Sequence, residues 1–322
     1  MRYVAAMLPS DWYIDNILAH IHPPKLLFSF YYFKPKELKS NEIPRALLVS
    51  KELNSEVFID SGIYTLKTQQ KGLFSLTIAY WQMPEEEKKA IVSKCMEKYD
   101  EYSAFANRYI DFLTKIEGYY NWAFDLDVDQ FLGIDVADEF YERIVSAGIE
   151  REKIIRIWHS SRSFDDWVSW CESKQHPYLA IEGGFEHRRN PTFYNKMVKV
   201  AHDNNIKVHV MAITDKKFFA RVPVDTGDSS TYTEGGRYGV VRTPWGLVSF
   251  GSVGKGLSLT RHYDTISEHR KEAMDTYFAK MGYDPELLRT EYKERIKINL
   301  EYFIKHIGTI PIPEVRDEYT LF

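Results

Sequence analysis

The sequence has little cysteine, no excess of basic residues and no long apolar run. Cys95 and Cys171 are the two cysteines in 322 residues, too few for a disulfide framework or a cysteine-rich zinc site. The net charge of −4 excludes a globally basic surface, although a local basic surface is compatible with it. No apolar run approaches the roughly 20 residues of a membrane span, and the N-terminal apolar run is too short for a signal peptide. We therefore expect a cytoplasmic protein with no membrane partner.

The sequence also lacks a glycine-rich phosphate loop between a first strand and a first helix, so a dinucleotide-binding fold is unsupported. Strand and helix signals alternate instead, which is typical of parallel βα units. The strand candidates are residues 26–33, 57–59, 119–126, 154–158, 178–181, 206–213, 218–224 and 240–250. Eight such runs favour a (β/α)8 TIM barrel over an open doubly wound sheet. We predict an α/β fold in which residues 1–255 form this barrel with added helices. Residues 256–322 are predicted to form a C-terminal helical extension packed on it.

One stretch, residues 224–239, combines acidic residues with glycines. Asp225 and Asp228 follow the apolar run 218–224, which we interpret as a strand that ends at Val224. Carboxylates at a strand end, followed by glycines that let the backbone approach a ligand, are typical of a functional site. A polar loop that caps a strand is the alternative interpretation.

Polar residues follow several of the other predicted strands. In a barrel the carboxyl ends of all strands meet at one face, so these residues should converge there. The set is Asp60, Asp125 or Asp127, His159, Gly183, Gly184, Met211, Asp225 and Asp228. Two carboxylates from different strands suit glycosidic exchange, in which one attacks the anomeric carbon and the other moves protons. Tyr64 and Met211 add surfaces on which a planar heterocycle can stack. The convergence therefore indicates an enzyme.

Several of these segments resemble the guanine transglycosylases, which exchange guanine for a 7-deazaguanine in nucleic acid. Asp60-Ser61-Gly62-Ile63-Tyr64 is similar to the family's Asp-Ser-Gly-Gly-Phe motif. Val224-Asp225-x-x-Asp228 followed by Gly236-Arg237-Tyr238-Gly239 is similar to its Val-Asp-x-Phe-Asp and Gly-Arg-x-Gly motifs. The segments 180–185 and 210–212 resemble its Gly-Gly segment and its base-packing methionine. The order and spacing agree over about residues 26–250.

The resemblance implies a role for each matching residue. Asp228 would be the nucleophile that holds a covalent glycosyl intermediate, and Asp60 the general acid/base. The remaining base-binding residues would be Tyr64, Asp125, Asp127, His159, Gly183, Gly184, Met211 and Asp225. Of the two acids Asp125 and Asp127, one is expected to point away from the barrel interior. No cofactor and no metal are implied.

Three departures separate the chain from the tRNA-modifying members of the family. His159 stands where the family has a glutamine, and Glu234 where it has an arginine. The chain has no cysteine after Cys171, so the family's C-terminal zinc site of three cysteines and a histidine cannot form. The resemblance therefore favours the phage and bacterial branch that inserts 7-cyano-7-deazaguanine or a derivative into DNA, with base flipping. We expect nucleic-acid contacts at Arg237, Lys255 and Arg261, with a solvated helix face as the alternative for the last two.

The expected partners are DNA, favoured over tRNA, and a free 7-deazaguanine base, inside a bacterial cell and from a bacterial or phage gene. Three other functions stay open: a zinc-less tRNA transglycosylase, a non-catalytic base-binding barrel subunit, and a sugar hydrolase. A magnesium site is disfavoured because the carboxylates are dispersed over several strands. His187 and His209 are interpreted as structural, and a homodimer is left open.

Overall fold

The computed structural model describes residues 1–69, 82–183, 191–251 and 262–314. At its centre eight parallel strands form a closed barrel, in which each strand pairs with the next and the eighth pairs with the first. They are β1 Tyr3–Met7, β2 Lys25–Ser29, β3 Glu56–Asp60, β4 Trp122–Phe124, β5 Ile154–Trp158, β6 Tyr178–Ile181, β7 Lys207–Val210 and β8 Thr226–Ser229. The predicted barrel is confirmed. An antiparallel hairpin of β9 Val240–Thr243 and β10 Gly246–Ser249 lies outside it.

Helices connect the strands and surround the barrel. Up to β7 they are α1 Asp11–Tyr13, α2 Ala19–Ile21, α3 Pro35–Lys39, α4 Arg45–Glu52, α5 Ile63–Gln69, α6 Glu85–Met96, α7 Tyr99–Lys115, α8 Asp129–Leu132, α9 Ile134–Ser146, α10 Phe164–Ser173 and α11 Pro191–Asp203. After β7 they are α12 Lys216–Phe219, α13 Glu234–Tyr238, α14 Glu268–Met281, α15 Pro285–Thr290 and α16 Tyr292–Tyr302. Short π-helical turns follow α1 at Ile14–Leu18 and α16 at Phe303–Ile307, and 3-10 turns occur at Phe30–Tyr32, Arg151–Lys153, Thr231–Thr233 and Tyr263–Thr265. Within the described residues, no helix is both long and apolar enough to cross a membrane.

Alternation along the strands divides the apolar side chains between two cores. One set fills the barrel interior: Val4, Leu27, Phe58, Phe124, Ile155, Ile157, Tyr178 and Ala180. The intervening strand residues face outward and pack under the helices in a much larger core. Both sides of each strand are buried, which is why β5 and β6 read as continuous apolar runs rather than as alternating ones.

Two of the predicted barrel strands are wrong, and two barrel strands were not predicted. Residues 218–224 begin in helix α12, because the Asp215 side chain accepts the Phe218 N–H and starts a helical turn. The run is apolar because Phe218 and Phe219 pack on the outside of the barrel. Residues 240–250 form the hairpin rather than a barrel strand. The missing strands are β1 and β8, and β8 carries Asp228 within it rather than after it.

The seam between β1 and β8 is closed by the buried guanidinium of Arg2. It donates hydrogen bonds to the carbonyl oxygens of Phe219, Val222 and Val224, at 2.7–3.0 Å, and to that of Pro311 at 3.0 Å. The Arg2 backbone N–H also donates to the Gly308 carbonyl. The two ends of the described chain therefore meet at the amino-terminal face of the barrel.

The C-terminal helices share a separate small core with the hairpin. Its members are Val241, Val248, Phe250, Tyr263, Met274, Phe278, Leu288 and Ile298. Helix α16 also packs on α13, where Gly235 lies directly against Arg295 and Asn299. The predicted domain boundary at residue 255 lies outside the described residues.

Candidate active site

A cavity of about 380 Å³ opens at the carboxyl-terminal face of the barrel. Asp60 and Asp228 both line it, although they come from strands β3 and β8. Tyr64 and Arg237 lie at its edge, where 61% of the Tyr64 side chain is exposed. Its remaining walls include Ala6, Leu27, Ser29, Tyr13, Tyr32, Gly62, Thr65 and Tyr232. The volume is within the range of small-molecule pockets.

Asp228 faces the barrel interior because it pairs in register with Val4, an interior residue. Its Oδ1 accepts the Ala212 N–H at 2.7 Å and lies 3.2 Å from Nε2 of His209. Among the described residues, its Oδ2 accepts no hydrogen bond. One oxygen of the carboxylate is thus held by the protein, and the other is left for the cavity.

The turn that delivers the Ala212 amide is strained. Ala212 has a φ of +53°, a left-handed conformation that costs a residue with a Cβ about 1–2 kcal/mol. The conformation aims its N–H at the carboxylate of Asp228. Strain of this kind is common where a fold positions a functional group.

Asp60 lies at the end of β3, in an environment different from that of Asp228. Its Oδ2 accepts the Gly62 N–H at 3.1 Å. Burial, followed by repulsion from the Asp127 and Asp228 carboxylates, raises the pKa of Asp60 to about 7. A carboxyl group with this pKa can both give and take a proton near neutral pH. Gly62 has a φ of +71°, and a Cβ there would lie 2.2 Å from the Ser29 hydroxyl, so the turn requires glycine.

A third carboxylate, that of Asp127, lies near Asp60 and pairs with the imidazole of His159. Nε2 of His159 lies 2.8 Å from Asp127, and Nδ1 lies 3.0 Å from Asp129. Burial disfavours protonation of His159, but the two carboxylates outweigh it and raise its pKa well above the ordinary value. Arg162 and Ser161 also contact the second carboxylate of this pair. His159 is therefore a buried imidazolium that orients Asp127, whose carboxylate lies close enough to Asp60 to repel its charge.

This same group could hold a cation. The ligand atoms of Asp127, Asp129 and His159 lie within 4.8 Å of one another. A metal ion would have to replace a ring proton of His159, since both ring nitrogens face carboxylates. The observed geometry already neutralises the carboxylates, which fits an ion pair better than a metal site.

Asp125 and Asp225 lie on the outer side of the barrel wall, away from the cavity. Asp125 accepts the Ile157 N–H at 3.1 Å and lies 3.6 Å from Nε of Arg156. Asp225 precedes β8 at its amino-terminal end, accepts the Val208 N–H at 2.7 Å and lies 3.0 Å from Nε2 of His202. The base-binding role expected for these two residues is not supported by their positions, because strand alternation turns both side chains outward.

Gly183 and Met211 lie together at the ends of β6 and β7. Met211 packs against the interior core of the barrel. A Cβ on Gly183 would lie 1.8 Å from the Met211 carbonyl oxygen, so close packing of the two backbones requires glycine there. Gly184, which was expected to bind the base with Gly183, lies outside the described residues.

Arg237 is the one predicted nucleic-acid contact within the described residues, and it lies exposed at the cavity edge. Lys255 and Arg261 lie outside them. Glu234, which stands in the place of an arginine in the similar family, forms an ion pair with Arg242 at 2.8 Å. Its carboxylate is thereby partly neutralised near the cavity.

His209 is the residue whose importance the sequence did not reveal. It is fully buried inside the barrel and contacts both Thr226 and Asp228. The available signal was a histidine inside the apolar run 206–213. A structural role for His209 does not by itself predict its contact with Asp228. Its spacing of 19 residues from Asp228 is explained by the adjacency of β7 and β8.

The chain forms a (β/α)8 barrel with two acids in one cavity at the carboxyl-terminal face, which is where the active sites of TIM-barrel enzymes lie. No protein-family model matches the chain, and no curated protein matches it. A solved structure of a candidate isomerase from Sinorhizobium meliloti, in an open-loop conformation, is similar at 12% identity with a TM-score of 0.40. That similarity covers 75% of this chain and 54% of the other, so the chain spans about half the length of that protein. It transfers no activity to this chain.

Proposed function

We propose that the protein is a base-exchanging glycosyltransferase that replaces guanine in DNA with a 7-deazaguanine through a covalent glycosyl-aspartate intermediate. One observation carries the proposal: Asp60 and Asp228 share a single cavity but have different environments. Two carboxylates that are differentiated in this way can divide nucleophilic and proton-transfer roles between them. The similarity of the two flanking motifs to those of guanine transglycosylases supports the reaction type.

In the proposed reaction, Oδ2 of Asp228 attacks the anomeric carbon of the nucleotide. The bond from this carbon to the guanine nitrogen breaks, and protonated Asp60 gives its proton to the leaving base. The incoming base then loses a ring N–H proton to Asp60, and its nitrogen displaces Asp228 from the anomeric carbon. The two half-reactions balance in protons and charge, so no further reactant is needed.

The surroundings of the acids fit a planar base. Tyr64 lies at the edge of the cavity and Met211 follows strand β7, and we infer that both side chains stack on the heterocycle. Asp127 offers a carboxylate for the base's amidine-like edge, and His159 holds it in place. The base would reach this cavity only if it were flipped out of a duplex or presented on a single strand.

DNA is the favoured polymer because the chain has no cysteine after Cys171 and so cannot form the zinc site of tRNA-modifying relatives. The exposed Arg237 at the cavity edge is suited to a phosphate contact. The negative net charge limits any such surface to the region around the cavity.

The proposal is tested by incubating the protein with radiolabelled guanine and either duplex DNA, single-stranded DNA or tRNA. Label entering DNA supports the proposal, whereas label entering tRNA supports the zinc-less tRNA enzyme. Release of free base from an unlabelled polymer without incorporation indicates a hydrolase. Tight binding of guanine without either reaction indicates a non-catalytic barrel.

The nucleophile is tested with Asp228→Asn. We expect loss of the covalent protein–nucleic acid adduct on denaturing gels and a fall in exchange of at least about 1,000-fold, since the amide oxygen is a poor nucleophile. Asp225→Asn is the matched control, because its carboxylate lies on the outer side of the same strand region. An adduct that survives in Asp228→Asn and disappears in the control would contradict the assignment.

A further inference from the structure

Three buried side chains form a hydrogen-bonded chain inside the barrel that ends on Asp228. The Tyr178 hydroxyl contacts Oγ1 of Thr226, and Nδ1 of His209 lies 2.8 Å from the same oxygen. Nε2 of His209 then lies 3.2 Å from Oδ1 of Asp228. Tyr178, Thr226 and His209 are at most 3% exposed, so solvent does not compete for these hydrogen bonds.

The protons in this chain can be placed by counting donors and acceptors. Among the described residues, Oγ1 of Thr226 is the hydrogen-bond partner of the Tyr178 hydroxyl, so this hydroxyl donates to it. Thr226 has one proton of its own, and it donates this proton to Nδ1 of His209. Nδ1 is then an acceptor, which places the ring proton on Nε2. That proton points at Asp228.

The surroundings hold the imidazole in this orientation. The rings of Phe58 and Phe124 lie 6.1 Å and 5.2 Å from that of His209, centroid to centroid. Neither ring offers an alternative acceptor for an N–H. A rotation of the imidazole would leave buried polar atoms without partners, at a cost of about 1–3 kcal/mol each.

We propose that Tyr178, Thr226 and His209 act as a one-directional hydrogen-bond chain that fixes His209 in its Nε2–H tautomer and so positions Asp228 for attack. His209 and the Ala212 amide both hold Oδ1, which directs Oδ2 toward the cavity. His209 is a positioning residue, since it acts through Asp228 and does not reach the substrate. The catalytic part of this inference rests on the proposed function, whereas the tautomer does not.

The tautomer is tested on the free protein, without substrate. Nitrogen-15 NMR of histidine-labelled protein distinguishes protonated from unprotonated ring nitrogens, and the His209→Gln spectrum identifies the His209 signals among those of the ten histidines. We expect the proton on Nε2 of His209 and none on Nδ1. A proton on Nδ1, or exchange between the two tautomers, would overturn the proposal even if the enzyme exchanges bases.

The effect on Asp228 is tested with a pair of substitutions at His209. His209→Leu removes the N–H donor, and we expect adduct formation to slow about 10- to 100-fold while the dissociation constant for guanine changes less than about 3-fold. His209→Gln retains a donor and an acceptor on one planar group, and it should recover most of the rate. Equal rates in His209→Leu and the wild type, or a loss confined to guanine affinity, would refute the positioning role.

A second pair covers the case in which His209→Leu does not fold, as judged by circular dichroism. Thr226→Val removes the hydroxyl at nearly constant volume, whereas Thr226→Ser keeps it. We expect only the valine variant to lose the single Nε2–H signature. If Thr226→Val keeps that signature, the hydrogen-bonded chain does not set the tautomer. If no variant or wild type exchanges bases, the proposed function fails and the NMR result still decides the tautomer.

Discussion

Asp60 shows how a side chain's environment changes its ionisation at the expense of stability. Its carboxyl group lies near two other carboxylates and is largely removed from water, which favours its protonated form. In the unfolded chain the same group ionises near the ordinary aspartate pKa of 3.8. Between these two values the folded protein binds a proton that the unfolded chain has lost.

This difference predicts a pH-dependent effect of Asp60→Asn. The stability that Asp60 contributes is fully present below pH 3.8 and is lost as the pH rises to about 7, because ionisation costs more in the folded state. At pH 8 the neutral asparagine avoids that cost, so we expect the variant to be about 2–4 kcal/mol more stable than the wild type. At pH 4 the two should be nearly equal. Urea unfolding at both pH values measures the difference.

Asp111→Asn is a suitable control, since Asp111 is exposed on the middle of helix α7. The effect of Asp111→Asn on the free energy of unfolding should not become more stabilising between pH 4 and pH 8. If Asp60→Asn destabilises the protein equally at both values, Asp60 is not a buried group that resists ionisation. The Asp60→Asn variant should also lose exchange activity. A gain in stability together with a loss of activity would separate the two effects of this substitution.

The sequence was sufficient to predict that Asp60 and Asp228 lie in one site, because both belong to predicted strand ends and both have distinctive flanking motifs. It could not decide between Asp125 and Asp127, since strand β4 ends at Phe124 and the chain leaves the regular alternation there. The structure places Asp127 against His159 and near Asp60, and Asp125 against Arg156. The contact of His209 with Asp228 could not be predicted either, because it depends on the register of β7 and β8.

Secondary-structure elements were predictable where their pattern was local. β5 and β6 were predicted with their observed bounds, because both are short apolar runs flanked by polar turns. Two helices follow Pro84, α6 and α7, which are separated at residues 97–98. Apolar residues recur at helical spacing from Val92 to Leu113 across this break, so periodicity alone cannot locate it.

The contact between α13 and α16 depends on the absence of a side chain at Gly235. A Cβ there would lie 2.7–2.8 Å from atoms of Arg295 and Asn299, and both partners are fixed by buried hydrogen bonds. We expect Gly235→Ala to destabilise the protein by about 2–3 kcal/mol through overpacking. Chemical denaturation measures this loss.

Gly282→Ala is the matched comparison, because it adds the same methyl group at a helix end. Gly282 has a φ of +81° and open space around it, so its substitution should cost only the backbone strain, about 1 kcal/mol. A smaller loss of stability in Gly235→Ala than in Gly282→Ala would show that α13 and α16 can move apart at little cost.

The barrel was predictable from its alternating strands and helices, but its closing strands, β1 and β8, were not. Its first strand, β1, consists of five residues of ordinary composition near the N-terminus, and nothing local marks it as a sheet member. It becomes a strand because β2 and β8 flank it and because Arg2 finds four carbonyl acceptors. These contacts span 217–309 residues of sequence, beyond the reach of any local pattern.

Arg2→Met tests the contribution of this closure. The methionine keeps much of the apolar stem but leaves buried carbonyl oxygens without donors, so we expect a loss of about 3 kcal/mol or more. Arg45→Met is the control, because Arg45 forms exposed ion pairs with Asp11 and Asp15 that contribute little. Thermal unfolding of both variants gives the comparison, and equal melting temperatures would contradict the role of Arg2.

The late closure of the seam between β1 and β8 has a consequence for biosynthesis. A ribosome makes β1 first, but its second neighbour and the acceptors of Arg2 emerge only after more than 200 further residues. Until then the nascent sheet has two unpaired edges, at β1 and at the most recently made strand, and such edges pair readily with other chains. Translation that stalls before Thr226 would therefore release an aggregation-prone fragment rather than a smaller folded protein.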